Sequence, residues 1–293
     1  MRTHHISFSS NTDILDCTTT AGNNCDNTTR NVLQLEHTHT VTCCLFNSIS
    51  SPVYSGGVLY LHSQNASPSS SLTVDSSSFY ECSVTAPSSS FYGGGAIYAD
   101  CGSLSVFSSL FFRCSAVYDG GGVFAYRNCD SARIHSSLLV ACTAEFGGAF
   151  ITFYGPTSSI SCSRFVSCTV SRGGGGFYHD SNLVRSSLTV SDCLFANNCA
   201  NYQNGSDSYN YRGGGAFEDF RGTTYISKYS FTLFSANSAP NGVGHDVSIH
   251  FNKLSISNIQ YCFTTRATYS FWNNGTYQDN ELKSWLPILT QLS

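Results

Sequence analysis

The chain has 293 residues, enough for a sizeable core, with 41% hydrophobic but only 11% charged residues. So low a charge fraction argues against a solvated helix-rich surface and against charge-driven disorder. The net charge of −4 leaves no basic footprint for nucleic acid. Polarity comes instead from Ser, Thr and Asn, which suit turns and strands better than helix interiors.

From the start, Met1 to Cys17 lacks the apolar run of a secretory signal. Either export is handled another way or the chain is a fragment. The first 40 residues carry little periodic signal and read as an N-terminal cap. His37 and His39 lie near Cys43 and Cys44, but scattered histidines explain them better than a metal site, and no C-x₂-C pair is present. No metal or other cofactor is expected.

Residues 41–265 carry an internal repeat, the feature to seek first. An aliphatic anchor is followed five residues later by a large apolar residue, and three after that by Cys or a substitute. The copies are Val41-Phe46-Ile49, Val74-Phe79-Cys82, Val106-Phe111-Cys114, Ile134-Leu139-Cys142, Ile160-Phe165-Cys168, Val190-Phe195-Asn198 and Leu254-Ile259-Cys262. An irregular copy, Ile226-Phe231-Phe234, breaks at its last position, with Asn237 three residues on. Between triplets stands a glycine corner followed by β-formers, at Gly57, Gly95, Gly122, Gly148, Gly176 and Gly215. One repeat thus predicts three short strands separated by corners.

Such a unit is too short for a propeller blade and lacks the helix of a leucine-rich repeat. It fits one turn of a right-handed parallel β-helix, an all-β solenoid of about eight rungs, or roughly 40 Å of rod at the interstrand spacing. Like residues then stack on like. Insertions at 64–71 and 201–212 fall at corners. The segment 266–293 reads as a C-terminal cap, in which Leu282, Trp285, Leu286 and Leu289 form a hydrophobic lid interrupted by Pro287.

The literal Gly94-Gly95-Ala96-Ile97, with Phe195-Ala196-Asn197-Asn198 and Phe234-Ser235-Ala236-Asn237, resembles the paired GGA[ILV] and FxxN motifs of the polymorphic outer-membrane proteins of chlamydiae. The resemblance spans about residues 41 to 262. It implies a β-helix exposed at a cell surface, with adhesion as its role and a glycan or a host or cell-surface protein as partner. The chain departs from that family in showing no counterpart of the C-terminal membrane barrel and in carrying Cys at most FxxN positions, as in surface proteins of anaerobic and parasitic protists.

Fourteen cysteines and sequons at Asn27, Asn65, Asn204 and Asn274 point toward an extracellular or cell-surface setting, and no stretch is apolar enough for a membrane-spanning helix. Cys82, Cys114, Cys142 and Cys168 read as a core ladder of small buried residues. In-register neighbours sit too far apart for an undistorted disulfide. Cys101 and Cys129 each lie five residues before an anchor and share a corner, which makes them the disulfide candidate; Cys17 and Cys25 are a more speculative pair.

The function expected is therefore non-enzymatic binding through loops and one flank. The alternative is a polysaccharide lyase or glycoside hydrolase. Its candidates are His179, Asp180, Glu218 and Asp219, with Asp180 and Asp219 stacked about 5 Å apart, the separation of a retaining carboxylate pair.

Overall fold

A computed structural model describes residues 12–16, 31–33, 38–52, 55–62, 70–85, 93–127, 129–154, 157–180, 187–201, 215–220, 226–239, 247–251, 260–263, 268–273 and 276–281. It is a parallel β-solenoid with about five turns in its central stretch. Residues 64–69 and 202–212 of the insertion loops, the sequons, Cys17, Cys25, His37, Leu254, Ile259 and the Leu282–Leu289 segment lie outside the described residues.

A typical turn has four strands: Ile97–Asp100 after the glycines, Ser103–Phe107 at the anchor, Leu110–Phe112 at the aromatic residue, and the short Ser115–Ala116 after the cysteine. The fourth strand escaped the sequence reading because two residues carry no periodicity. Among the described residues the turns pair in parallel, in register apart from a shift between Ala144 and Phe146 and another between Ser230 and Thr232: Val106 lies between Val74 and Ile134, and Phe111 between Phe79 and Leu139. Outside the central stretch, Thr12–Asp16 pairs with Thr38–Thr42 and Asn31–Leu33 with the glycine-following strand at Leu59. At the other end, Thr268–Asn273 and Thr276–Glu281 form an antiparallel pair on the glycine wall.

Register changes two readings of the repeat. Val190 pairs with Tyr229 and Phe195 with Phe234, so the irregular copy runs Tyr229-Phe234-Asn237, with spacing intact, and Ile226 is not its anchor. Cys262 pairs with Ser230 on the anchor wall, not with the column of third residues. At the glycine corners Gly57, Gly95, Gly121, Gly148, Gly175 and Gly215 occupy one column, so Gly122 and Gly176 stand one position later than read, alongside Ala96 and Ala149. Gly94 shows why the column is glycine: its φ is +71°, and a Cβ on the following Gly95 would meet the Gly121 carbonyl oxygen at 2.0 Å.

The core is a bundle of ladders. Phe46, Phe79 and Phe111 stack with centroids 4.9 and 4.8 Å apart, and Phe165 stacks on Phe195 at 4.7 Å. From Cys82 to Asn237 the third residue of the triplet donates to the carbonyl of the second residue one turn earlier. The thiols of Cys114, Cys142 and Cys168 reach the carbonyls of Phe79, Phe111 and Leu139 at 3.5 to 3.8 Å. Asn198 and Asn237 reach those of Phe165 and Phe195 at 2.9 and 3.0 Å. Cysteine therefore fills the asparagine position as a weaker donor to the same acceptor.

A second polar ladder stands three residues after each anchor. The amides of Cys44, Ser77, Ser109 and Ser137 donate to the hydroxyls of Ser77, Ser109, Ser137 and Ser163 in the next turn, at 3.1 to 3.2 Å. Each of these serines returns a hydrogen bond to the carbonyl two residues before it. This satisfies backbone groups at a corner where Ser76, Ser108 and Ser136 hold positive φ without being glycine.

Truncating Phe111 to Ala opens a void inside the stack and should cost about 3–5 kcal/mol in denaturant unfolding, whereas Leu, the residue at position 139 of the same column, should be better tolerated. Ser109→Ala strands the buried Ser77 amide and should cost about 1–3 kcal/mol, against under about 0.5 for the outward Ser105→Ala.

Candidate functional site

The exterior consists of chemically distinct walls. Outward positions of the anchor strands between Thr38 and Ser191 are Ser or Thr except at Asp75, Phe107, Arg133 and His135. The aromatic-position strands expose a column containing Leu45, Leu110, Leu138, Leu194 and Leu233. The glycine-following strands carry a third chemistry, and it has the features of a binding site.

On those strands Leu59, Ile97, Val123, Phe150 and Phe177 face the core, so the next residues, Tyr60, Tyr98, Phe124, Ile151 and Tyr178, lie on the opposite face of the wall, where all but Tyr60 are buried. They form a second apolar cluster, separate from the core, against which Tyr126, Phe146 and Phe153 pack half-buried. Tyr60 stacks on Tyr98 at 5.2 Å, and Tyr126 on Phe153 at 6.1 Å with an interplanar angle of 11°. Tyr154 meets Phe153 edge-on at 4.3 Å. Its φ of +64° is unusual for a bulky residue and marks locally stored strain.

Three nearly buried carboxylates belong to this region. Asp100 and Asp180 end the strands carrying Tyr98 and Tyr178, and Asp119 precedes the glycine corner of the turn between them. Burial, then the negative charge of Asp100, pushes the Tyr98 hydroxyl upward in pKa, and burial with Tyr154 raises that of Tyr126. Both phenols thus stay protonated at neutral pH and able to donate. At the far side Arg172 pairs with Glu145 at 2.7 Å and lies 5.4 Å over the Phe146 ring. Flat aromatic faces, phenol donors and carboxylate acceptors are the groups a sugar ring uses, with its apolar C–H face and its hydroxyl rim.

No family model, curated protein or solved structure matches the chain.

The sequence-derived acid pair is not stacked. Asp180 pairs with Phe220, while Asp219 pairs with His179 and Glu218 with Tyr178. Counting from the in-register glycines Gly175 and Gly215 removes the coincidence, and a slip of one position exchanges the faces of a strand. His179 is fully buried on the core side and hydrogen-bonded through Nδ1 to the Thr152 hydroxyl, while Asp180 belongs to the opposite face. Burial depresses the His179 pKa to about 3, so it stays neutral.

The cysteines divide by position. Cys82, Cys114, Cys142 and Cys168 are buried free thiols of the ladder; burial raises the pKa of Cys114 and Cys168, the hydrogen bond to Cys114 raises Cys142, and that to Cys114 lowers Cys82. Cys101 and Cys129 are also free thiols, with Sγ atoms 3.7 Å apart. Cys44 is disulfide-bonded. His39 is buried and Cys43 exposed. Among the described residues no group of three or more His, Cys, Asp or Glu is arranged to hold a metal ion, and no helix is long and apolar enough to cross a membrane.

The aromatic wall escaped the sequence reading, although its signal was there. Tyr60, Tyr98, Phe124 and Tyr178 all fall three residues after the column glycine. The residues after the glycines are apolar at successive positions, so no alternation marks a face, and only register separates the two.

His179 gives a pH test. Its folded pKa lies below its unfolded value, so the unfolded chain binds the extra proton and stability falls as pH drops below about 6.5 toward about 3. The residue should contribute a loss of about 2 kcal/mol between pH 6.5 and 5. Urea midpoints measured across this range should fall less steeply in His179→Gln.

Proposed function

We propose that this chain is a non-enzymatic, surface-exposed or secreted repeat protein that binds carbohydrate along its aromatic wall and thereby serves adhesion. Its rod is right-handed, of about eight turns, with residues 1–40 and 266–293 closing the ends. The observation that carries the reading is the set Tyr126, Phe153 and Tyr154, three half-buried rings on the outside of the solenoid beside Asp100, Asp119 and Asp180. A solenoid needs no apolar residue on its outer surface to fold. Aromatic rings there leave apolar area available to a ligand, and their fixed geometry lowers the entropy cost of binding.

The setting agrees with this. A hydroxyl-covered wall with few charges suits an exposed rod, and the Cys44 disulfide suits an oxidising compartment. The resemblance to surface β-helix repeats points the same way, and repetition offers an extended ligand several equivalent positions along one flank.

The test is a glycan array followed by calorimetry on the glycans retained. Tyr126→Ala and Tyr154→Ala should each weaken binding about tenfold or more, equivalent to about 1.4 kcal/mol, while leaving the circular dichroism spectrum unchanged. Thr73→Ala and Ser105→Ala on the hydroxyl wall should have no effect. Binding that survives both tyrosine changes would move the site elsewhere, and shortening of a bound glycan during incubation would make the protein an enzyme.

A further inference from the structure

We infer that Cys101 and Cys129 are a covalent modification site: they close into a disulfide between adjacent turns that pins the loop carrying Tyr126, while the neighbouring ladder thiols remain reduced. This does not depend on what the aromatic wall binds.

The contact between the two thiols is direct. The two Sγ atoms are 3.7 Å apart, and both side chains are buried, so no solvent shell stands between them. A bond requires approach to about 2.05 Å, a movement of under about 2 Å shared between two side chains. The local backbone can supply it. The glycine-following strands end at Asp100 and Ala125 and the anchor strands begin at Ser103 and Ser131, so both cysteines lie in connecting segments outside the strands. The Cys129 amide donates to the Tyr126 carbonyl at 2.9 Å, which makes Tyr126 to Cys129 one tight turn. That turn is tied to the preceding rung by Tyr126 N–H to the Ala99 carbonyl at 2.8 Å and by Asp130 N–H to the Gly102 carbonyl at 2.9 Å. A disulfide would add a covalent tie at the same place.

The ladder cysteines are held differently. Their carbonyls accept from the next turn, as in Ser115 N–H to Cys82 at 2.9 Å and Thr143 N–H to Cys114 at 3.0 Å; the thiols of both sets reach backbone carbonyls, those of Cys101 and Cys129 reaching Ser103 and Ala99 at 3.2 and 3.5 Å, so the distinction lies in the backbone. Each lies in a two-residue connection between hydrogen-bonded strands, whereas Cys129 lies in the longer connection from Ala125 to Ser131, so drawing two ladder cysteines together would pull both turns off the parallel spacing.

The chemistry is thiol–disulfide exchange with a small disulfide such as oxidised glutathione. One cysteine thiolate attacks it and releases one glutathione thiolate. The second cysteine thiolate then attacks the mixed disulfide and releases another. Two protein S–H bonds and one glutathione S–S bond are lost, one protein S–S bond is formed, and two protons pass to the two glutathione thiolates. Because both cysteines are buried in the folded chain, exchange occurs as the turns assemble.

The full chain, denatured and reduced, is refolded in a glutathione redox buffer, blocked with N-ethylmaleimide, unfolded and peptide-mapped. The expected result is a linked Cys101–Cys129 peptide, with Cys114, Cys142 and Cys168 recovered as thiols. Trypsin supplies the second measurement, since Arg127 is exposed within the pinned turn. Native cleavage after Arg127 should be about tenfold slower in the oxidised protein than in the same protein reduced, and Cys101→Ser and Cys129→Ser should each be cut at the reduced rate in either buffer. Free thiols at both positions in refolded protein with a native spectrum would overturn the proposal, as would a bridge within the ladder or cleavage indifferent to the redox state. Should the serine variants fail to refold, Cys101→Ala/Cys129→Val, which keeps the site apolar, takes their place with the same expectation.

Discussion

The structure rests on one constraint: successive turns of chain are held at the parallel-strand hydrogen-bond spacing, about 4.8 Å, with the same position of each repeat directly above its predecessor. Any side chain must therefore be compatible with its own kind one turn away. Phenylalanine stacks well at that distance and gains packing beyond its area burial. Serine can accept from one turn while donating within its own, so it propagates along the corner. Asparagine and cysteine both donate to the carbonyl one turn back, which is why they interchange at one position. Where the chain reverses beside another turn, only glycine leaves room, since a Cβ at Gly95 would overlap a backbone carbonyl.

The same constraint explains why the outside matters for function. An inward ladder is selected by the fold, but an outward one is not. The hydroxyls of the anchor wall are what solvent exposure permits, whereas the outer face of the glycine-following wall holds a second buried apolar cluster with the half-buried rings of Tyr60, Tyr126, Phe146 and Phe153 packed against it. A tyrosine at positive φ beside it is a costly feature that packing alone does not call for, and buried carboxylates stand at its margin. The convergence of all three on one wall directs the functional reading there. Cys101 and Cys129 stand at the end of the same strands, where the chain leaves that wall, so a covalent tie would bear on the position of Tyr126.

The failure of the stacked carboxylate pair shows how finely register decides a site. Asp180 and Asp219 were aligned by counting from glycine runs of unequal length, three glycines before Ala216 but four before Phe177. The hydrogen bonds align Gly175 with Gly215, and the aspartates then fall on adjacent positions. An error of one residue therefore takes a supposed catalytic pair out of register. The copy read as Ile226-Phe231-Phe234 failed in a related way: Tyr229 takes the aliphatic place, and an aromatic at that position hid the frame.

The sequence by itself determined the architecture, because a solenoid writes each core position many times over and repetition survives individual exceptions. The anchors, the aromatic column, the cysteine ladder and the glycine corners were legible for that reason. Tertiary structure alone decided which face each post-glycine residue occupies, because runs such as Val-Phe-Ala or Phe-Tyr-His are buried on both sides and carry no alternation to read. It also decided which residues of unequal glycine runs align, and that two cysteines 28 residues apart come within 3.7 Å. Those facts depend on hydrogen bonds between turns, and an interaction between distant segments leaves no mark in the local pattern of either.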